Sequence, residues 1–204
     1  MLAQIVLFDG FDPLDVIAPY EVLAAAGMFG GGLDAELVSA EGAREVHSGL
    51  ELLTLRATGR LDPQRADLVV VPGAAGKPDA IPAILANAAT GLSPLLAGAL
   101  SRPGVTVATV CGGSTLLAMA GLIPGRAATT HHLGMDALVA AGVNAIDARV
   151  VDDGDLVTGA AVTSGLDVGL YLLEREIGPG VAHEVERFFA HERRGVVWRA
   201  EAVA

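Results

Sequence analysis

The chain contains a single cysteine, Cys111, at a position where its sulfur could act as a nucleophile. It follows an apolar segment at residues 105–110, which predicts a β-strand, and it precedes Gly112, Gly113 and Ser114, where a helix-like segment begins. A sharp turn between strand and helix lifts a side chain out of the sheet, and the start of the helix favours the thiolate over the thiol. The alternative is a buried cysteine that packs as a small hydrophobic residue. The local pattern leaves both interpretations open.

Asp15 is a candidate acidic partner for the thiol. A carboxyl group close to a thiolate has a raised pKa and can donate a hydrogen bond or a proton. Asp15 also has an ordinary structural explanation, because it lies in the first turn of a predicted helix with Asp12 as N-cap and Pro13 at the first helical position. Pro19 has no N–H to pair with the Asp15 carbonyl, so the sequence predicts an irregular turn there.

Backbone donors are expected from loops at the carboxyl ends of predicted strands. In an open parallel sheet, ligands gather at these ends, and residues 73–76 and 111–114 occupy two of them. Free N–H groups of Gly73 or Ala74, and of Gly112, would form an oxyanion-type pocket for charge that develops on a substrate. For Gly73, a simple turn glycine is an equally good explanation.

The elements that must position these residues alternate between strand-like and helix-like segments. This order is typical of an α/β fold, and it predicts a doubly wound sandwich with a mostly parallel central sheet in one domain, residues 1–204. The predicted strands cover residues 4–8, 35–39, 51–55, 68–71, 105–110, 149–151 and 156–158, and the predicted helices cover residues 12–26, 94–100, a segment ending at 120, 135–141, 164–176 and 181–191.

The overall composition excludes several classes of partner. The formal net charge is −11, so the field of the protein repels nucleic acid and anionic membrane surfaces. No segment approaches the roughly 20 uninterrupted apolar residues that span a bilayer, so we expect no membrane association. One cysteine allows no internal disulfide, and the first residues show no secretory leader. We therefore expect a cytoplasmic protein.

Five segments, taken together and in this order, resemble the ThiJ/PfpI superfamily, and within it the isonitrile hydratase (isocyanide hydratase) branch. The resemblance covers nearly the whole chain and implies a flavodoxin-like sandwich with a nucleophile elbow. The segments that carry it are residues 14–19 (LDVIAP), 71–74 (VPGA), 110–114 (VCGGS), 125–131 (GRAATTH), and 157–159 (VTG) followed by 163–167 (TSGLD).

The resemblance implies that Cys111 is the nucleophile and Asp15 the residue that handles protons. In that chemistry the thiolate attacks the terminal carbon of an isocyanide, Asp15 protonates this carbon as a thioimidate forms, and water then releases an N-substituted formamide. Backbone donors near Gly73, Ala74 and Gly112 would position the reacting group or the water. The substrate is a small molecule, no cofactor is needed, and the family habit of building sites beside a dimer interface implies a homodimer.

His131 follows Cys111 by 20 residues, an interval at which many superfamily members keep a histidine beside the thiol. In the hydratase branch this histidine is not the base, so His131 is a secondary candidate. No metal site is expected, since no ligands lie at a suitable spacing. The sequence also departs from the hydratase pattern, because Gly112 stands where a threonine usually follows the cysteine, and Ala74 where a glycine is common.

Two other functions share the reactive thiol. One is a cofactor-free glyoxalase or deglycase, in which Cys111 adds to an α-oxoaldehyde, although those enzymes prefer glutamate at the position of Asp15. The other is a non-catalytic module that binds a small ligand or senses redox state through oxidation of the thiol to a sulfinate. A thiol with a low pKa is expected in all three cases, so the thiol pKa does not distinguish them.

Overall fold

Twelve strands and six α-helices are found in the computed structural model, which describes residues 1–200. The strands are β1 (Leu2–Leu7), β2 (Asp34–Ser39), β3 (Arg44–His47), β4 (Thr54–Ala57), β5 (Gly59–Arg60), β6 (Leu68–Val71), β7 (Thr106–Thr109), β8 (Ala127–Ala128), β9 (Asn144–Ala145), β10 (Val150–Asp152), β11 (Leu156–Gly159) and β12 (Trp198–Arg199). The helices are α1 (Pro13–Ala25), α2 (Ile81–Ser101), α3 (Gly113–Met119), α4 (Met135–Ala140), α5 (Ser164–Glu176) and α6 (Pro179–Phe188).

Eight strands form the central sheet in the order β12-β10-β11-β7-β6-β1-β2-β5. As far as residues 1–200 define this sheet, neighbouring strands are parallel except β10 and β11. Helices α1, α5 and α6 pack together, and α2, α3 and α4 form the other group. The predicted α/β sandwich with a mostly parallel sheet is therefore confirmed. Its central strands are buried on both sides, as the uninterrupted apolar run at Leu68–Val71 predicts.

Helix α2 is much longer than the helix predicted at residues 94–100. Its first half contains no charged residues, so it lacks the polar outer face that marks an amphipathic helix. Pro82 lies in its first turn, where the missing N–H is tolerated, and the helix continues through Pro94. Within residues 1–200, α2 is the one helix long and apolar enough to cross a membrane by composition alone, but Leu85, Leu92 and Leu96 bury one side of it in the interior.

The strand predicted at residues 51–55 lies slightly later, at β4, where it forms a hairpin with β3 outside the central sheet. Strand β3 contains Arg44, Glu45 and His47. Because these side chains are polar, the segment has no apolar run that would predict a strand. Asp153 and Gly154 lie in the turn between the antiparallel strands β10 and β11, and Gly154 has a φ of 81°.

Helix α1 begins as predicted and brings Asp15 into the interior. The Asp12 side chain accepts a hydrogen bond from Leu14 N at 3.0 Å, which confirms it as the N-cap. The helix runs through Pro19 to Ala25, in agreement with the helix predicted over residues 12–26. Asp15 is fully buried one turn into the helix.

Candidate active site

Cys111 lies in a strained turn between β7 and α3. Its φ of 54° places it in the left-handed region, which a residue with a side chain seldom adopts. Hydrogen bonds hold this conformation on both sides, because Cys111 N donates to Gly159 O at 3.1 Å and Thr130 Oγ1 donates to Cys111 O at 2.7 Å. The side chain is buried at the end of the sheet. This geometry is the nucleophile elbow that the strand and glycine pattern predicts.

The Asp15 carboxyl group is brought beside Cys111 although 96 positions separate the two residues. Its Oδ2 accepts a hydrogen bond from Gly73 N at 2.9 Å. Oδ1 is buried and has no hydrogen-bond partner of ordinary geometry among residues 1–200. Burial first, and then the negative charge of Asp12, raise the pKa of Asp15 well above its ordinary value, and the Gly73 N–H and the Cys111 thiol only partly oppose this. Asp15 therefore carries a proton well above the pH at which an exposed aspartate loses it.

The surroundings of Cys111 raise the pKa of its thiol, whereas its place before a helix suggests a lowered pKa. Burial raises the pKa of Cys111, and so do the negative charges of Asp12 and of Asp15 once Asp15 has ionised. The backbone N–H groups of Gly112 and Val162 lower the pKa of Cys111, but they do not outweigh burial.

The backbone donors at the site differ from those expected. Gly73 N–H is not free for a substrate, because it donates to Asp15 Oδ2. Gly112 is retained as a donor near the sulfur, and Ala74 lies on the wall of the adjoining cavity. The second donor at the sulfur is the N–H of Val162, in the loop between β11 and α5. The sequence carried no signal for Val162, since every residue except proline has a backbone N–H.

A cavity of about 490 Å³ opens onto Cys111 and is mostly apolar. Among the described residues that line it, Asp12 is the one acidic side chain, and no lysine or arginine is present. Another cavity of the same volume, beside Glu174 and Arg193, does not include Cys111. The residues that line the first cavity are Asp12, Leu50, Ala74, Ala75, Gly76, Pro78, Ile81, Pro82, Leu85, Cys111, Gly112, Thr115, Met119, His131, Leu133, Gly134, Ala137 and Val162.

His131 lies on the cavity wall but makes no hydrogen bond to Cys111 or Asp15 within the described part of the chain. Its Nδ1 accepts from Leu133 N at 3.2 Å, which leaves the ring proton of the neutral form on Nε2. Burial and the neighbouring His132 lower the pKa of His131. Among residues 1–200, no three His, Cys, Asp or Glu side chains lie where they could hold a metal ion together.

Leu85 occupies the space beside Gly112, the position at which the resemblance implies a threonine. A Cβ atom built on Gly112 would lie 3.3 Å from Leu85 Cδ1, a tight contact. The buried hydroxyl groups beside Cys111 belong instead to Thr115 and Thr130, whose Oγ1 atoms are 3.0 Å apart. The site therefore contains threonine hydroxyl groups although residue 112 is a glycine. These hydroxyl groups belong to Thr115 and Thr130.

Replacing Asp12 with asparagine is expected to speed alkylation of Cys111. Asparagine is an equally good N-cap, so helix α1 keeps its start, while the charge that raises the pKa of Cys111 is removed. We expect the iodoacetamide rate at a fixed pH near 8 to rise roughly two- to tenfold, in proportion to the thiolate fraction. Intact-protein mass spectrometry measures this rate directly, because Cys111 is the only cysteine. The control is Asp34→Asn, because Asp34 is exposed at the opposite end of the sheet. An unchanged alkylation rate in Asp12→Asn would contradict an effect of the Asp12 charge on the pKa of Cys111.

Comparisons with known proteins agree with this geometry. The sequence pattern of the DJ-1/PfpI family matches residues 1–175. Isonitrile hydratase from Pseudomonas putida is 33% identical over 180 residues, which cover 88% of this chain and 74% of that protein. A THiJ/PfpI family protein from Pseudomonas syringae superposes with a TM-score of 0.78 at 25% identity, over 100% of this chain and 78% of that one. DJ-1beta from Drosophila melanogaster has the same fold, with a TM-score of 0.78 at 20% identity, covering 94% and 98%. The chain belongs to the DJ-1/PfpI family.

Proposed function

We propose that this protein is an isonitrile hydratase-like lyase, which uses Cys111 to add water to an isocyanide and releases an N-substituted formamide. The observation that carries the proposal is the pairing of a buried thiol with the buried Asp15 carboxyl group, whose Oδ1 is unpartnered, at an apolar cavity. Identity of 33% to isonitrile hydratase supports the same branch of the family. An isocyanide with an apolar substituent is uncharged and matches this lining.

In the first step, the Cys111 sulfur bonds to the terminal carbon of the isocyanide. Asp15 gives its proton to this carbon, and the carboxylate so formed takes the proton of the thiol. The net change is addition of S–H to the carbon, and the product is a thioimidate on Cys111. Raised pKa values suit both groups to this exchange, because the carboxyl group begins as an acid and the thiol needs an acceptor at the moment of attack.

In the second step, water adds to the thioimidate carbon and the imine nitrogen gains a proton. The carbon–sulfur bond then breaks, and the sulfur recovers its proton as the formamide leaves. The product contains the isocyanide and one water, so no oxidant or reductant is required. The N–H groups of Gly112 and Val162 stabilise negative charge on the departing sulfur.

Glyoxalase chemistry fits these surroundings less well. An α-oxoaldehyde presents two carbonyl oxygens, whereas the cavity wall is largely apolar. Moving a proton between two carbons also requires a base, and burial raises the pKa of Asp15, which favours its acid form over the carboxylate.

The test compares two substrates under identical conditions. We expect N-phenylformamide from phenyl isocyanide and no lactate from methylglyoxal, with a loss of at least about 10⁴-fold in Cys111→Ala, as for removal of other catalytic nucleophiles. Product is measured by chromatography, and circular dichroism verifies that the variant folds. Lactate that depends on Cys111, without formamide, would establish the glyoxalase alternative, and absence of both products would contradict an enzymatic role in either reaction.

A further inference from the structure

Two buried threonine side chains beside Cys111 form hydrogen bonds that can run in only one direction. Thr130 Oγ1 lies 2.7 Å from Cys111 O, and a carbonyl oxygen only accepts, so Thr130 is the donor. Thr115 Oγ1 lies 3.0 Å from Thr130 Oγ1. Because the Thr130 proton is already used, Thr115 donates to Thr130. The Thr115 hydroxyl then has no proton left for a ligand, and its free lone pair can only accept.

This chain of hydroxyl groups also orients a backbone donor. The peptide bond between Cys111 and Gly112 is trans, so its C=O and N–H point in opposite directions. Thr130 holds the C=O on one side, and the Gly112 N–H therefore stays directed toward the sulfur, where it lowers the pKa of Cys111. Thr130 is thus a positioning residue for this donor.

Gly134 leaves the accepting side of Thr115 open. Its φ of −102° is accessible to any residue, so its backbone does not require glycine. A Cβ atom at Gly134 would, however, lie 3.0 Å from Thr115 Oγ1 and 3.1 Å from Thr130 Cγ2. Thr115 and Gly134 both line the cavity that contains Cys111. The missing side chain therefore exposes an acceptor to whatever occupies the cavity that Cys111 also lines.

We propose that Thr115 Oγ1 binds and orients the water molecule that is consumed in the second step; this inference rests on the proposed function. A water that donates one hydrogen to Thr115 keeps a lone pair free to attack the thioimidate carbon. As the oxygen–carbon bond forms, a water proton passes to the imine nitrogen. The carbon–sulfur bond then breaks, and the sulfur is protonated again. Thr115 thus acts on hydrolysis of the thioimidate and not on its formation.

Thr115→Val, which keeps the shape but removes the hydroxyl, tests this division of the reaction. We expect kcat and KM for phenyl isocyanide to fall together by roughly 10- to 100-fold, while kcat/KM changes by less than about threefold, because only the second step is slowed. During turnover, intact-protein mass spectrometry should show Cys111 carrying the added mass of the isocyanide. Thr115→Ser should restore turnover and remove this adduct.

Thr90→Val is the matched control, since Thr90 is exposed on α2 and its hydroxyl bonds only to Ala86 O in its own helix. Gly134→Ala provides a second test that leaves both threonines in place, and it should also accumulate the adduct. If Thr115→Val fails to fold, Gly134→Ala decides the matter. A fall in kcat/KM without adduct in the folded variants would overturn the role of Thr115. A wild-type protein that forms neither adduct nor formamide would instead contradict the proposed function, and the inference with it.

Discussion

Replacing Asp15 with asparagine is expected to slow formamide production by about 10²- to 10⁴-fold, the range for loss of a general acid. Asparagine has nearly the same shape, and its amide oxygen can still accept the hydrogen bond from Gly73 N. The amide has no proton to give to the isocyanide carbon, however, and cannot receive one from the Cys111 thiol. Steady-state kcat for phenyl isocyanide measures the effect. A rate within roughly threefold of the wild type would contradict proton transfer by Asp15.

The same substitution is expected to stabilise the protein, increasingly as the pH rises. Folding raises the pKa of Asp15 above its ordinary 3.8, so the stability it contributes is fully present below that pH and is lost as the pH rises through the folded-state pKa. Asparagine does not titrate. We expect the free energy of unfolding of Asp15→Asn to exceed that of the wild type by roughly 0.5–2 kcal/mol at pH 8. Urea denaturation at pH 4 and pH 8 measures this difference, and a gap that does not grow with pH would show that Asp15 ionises normally.

Gly73→Ala is expected to destabilise the protein by about 1–3 kcal/mol and to reduce turnover by at least roughly 100-fold. A Cβ atom at Gly73 would lie 2.5 Å from Gly112 N and 2.8 Å from Asp15 Oδ2. Gly112 N is a backbone atom of the elbow, so it cannot move aside as the end of a flexible side chain could. The methyl group would displace the carboxyl group or the elbow, and both are needed near the sulfur. Urea denaturation and steady-state kinetics measure the two effects.

Gly91→Ala is the control for this prediction. Gly91 lies on the exposed side of α2, and a Cβ atom there meets nothing within 4 Å. Alanine is the better helix former, so we expect unchanged turnover and a gain of about 0.5–1 kcal/mol in stability. If both alanine variants retained full activity, the close approach at Gly73 would have no role in holding the site together.

Parts of the fold with a strong local signal could be predicted from the sequence. The apolar run at Leu68–Val71 has the bounds of β6, and Asp12 caps α1 as its type and position suggest. The first half of α2 lacks alternation between polar and apolar residues, and β3 carries polar side chains because it lies outside the central sheet. Each was missed because hydrophobic periodicity reports burial on one face, and neither segment has such a pattern.

The candidate site was predictable in its residue types but not in its protonation. Cys111 and Asp15 could be paired through the family motifs, and the structure brings them together. The pKa of Cys111 depends on burial and on the charges of Asp15 and Asp12, which act through space and leave no mark in the residues next to the thiol. The helix start suggested a thiolate because it was the one influence visible locally. The donor N–H of Val162 belongs to a peptide group that any residue but proline could supply.

The hairpin formed by β3 and β4 contributes to the cavity wall but does not belong to the central sheet that holds Cys111. Leu50, in its connecting loop, forms part of the cavity wall, yet β3 and β4 pair with each other and not with the central sheet. Leu50 is 54% exposed, so exchanging it costs little core packing. Mutations of Leu50 can therefore reshape the pocket while leaving the strands that hold Cys111 undisturbed. The shape of the cavity at Leu50 is therefore free to diverge during evolution while the turn that holds Cys111 stays the same.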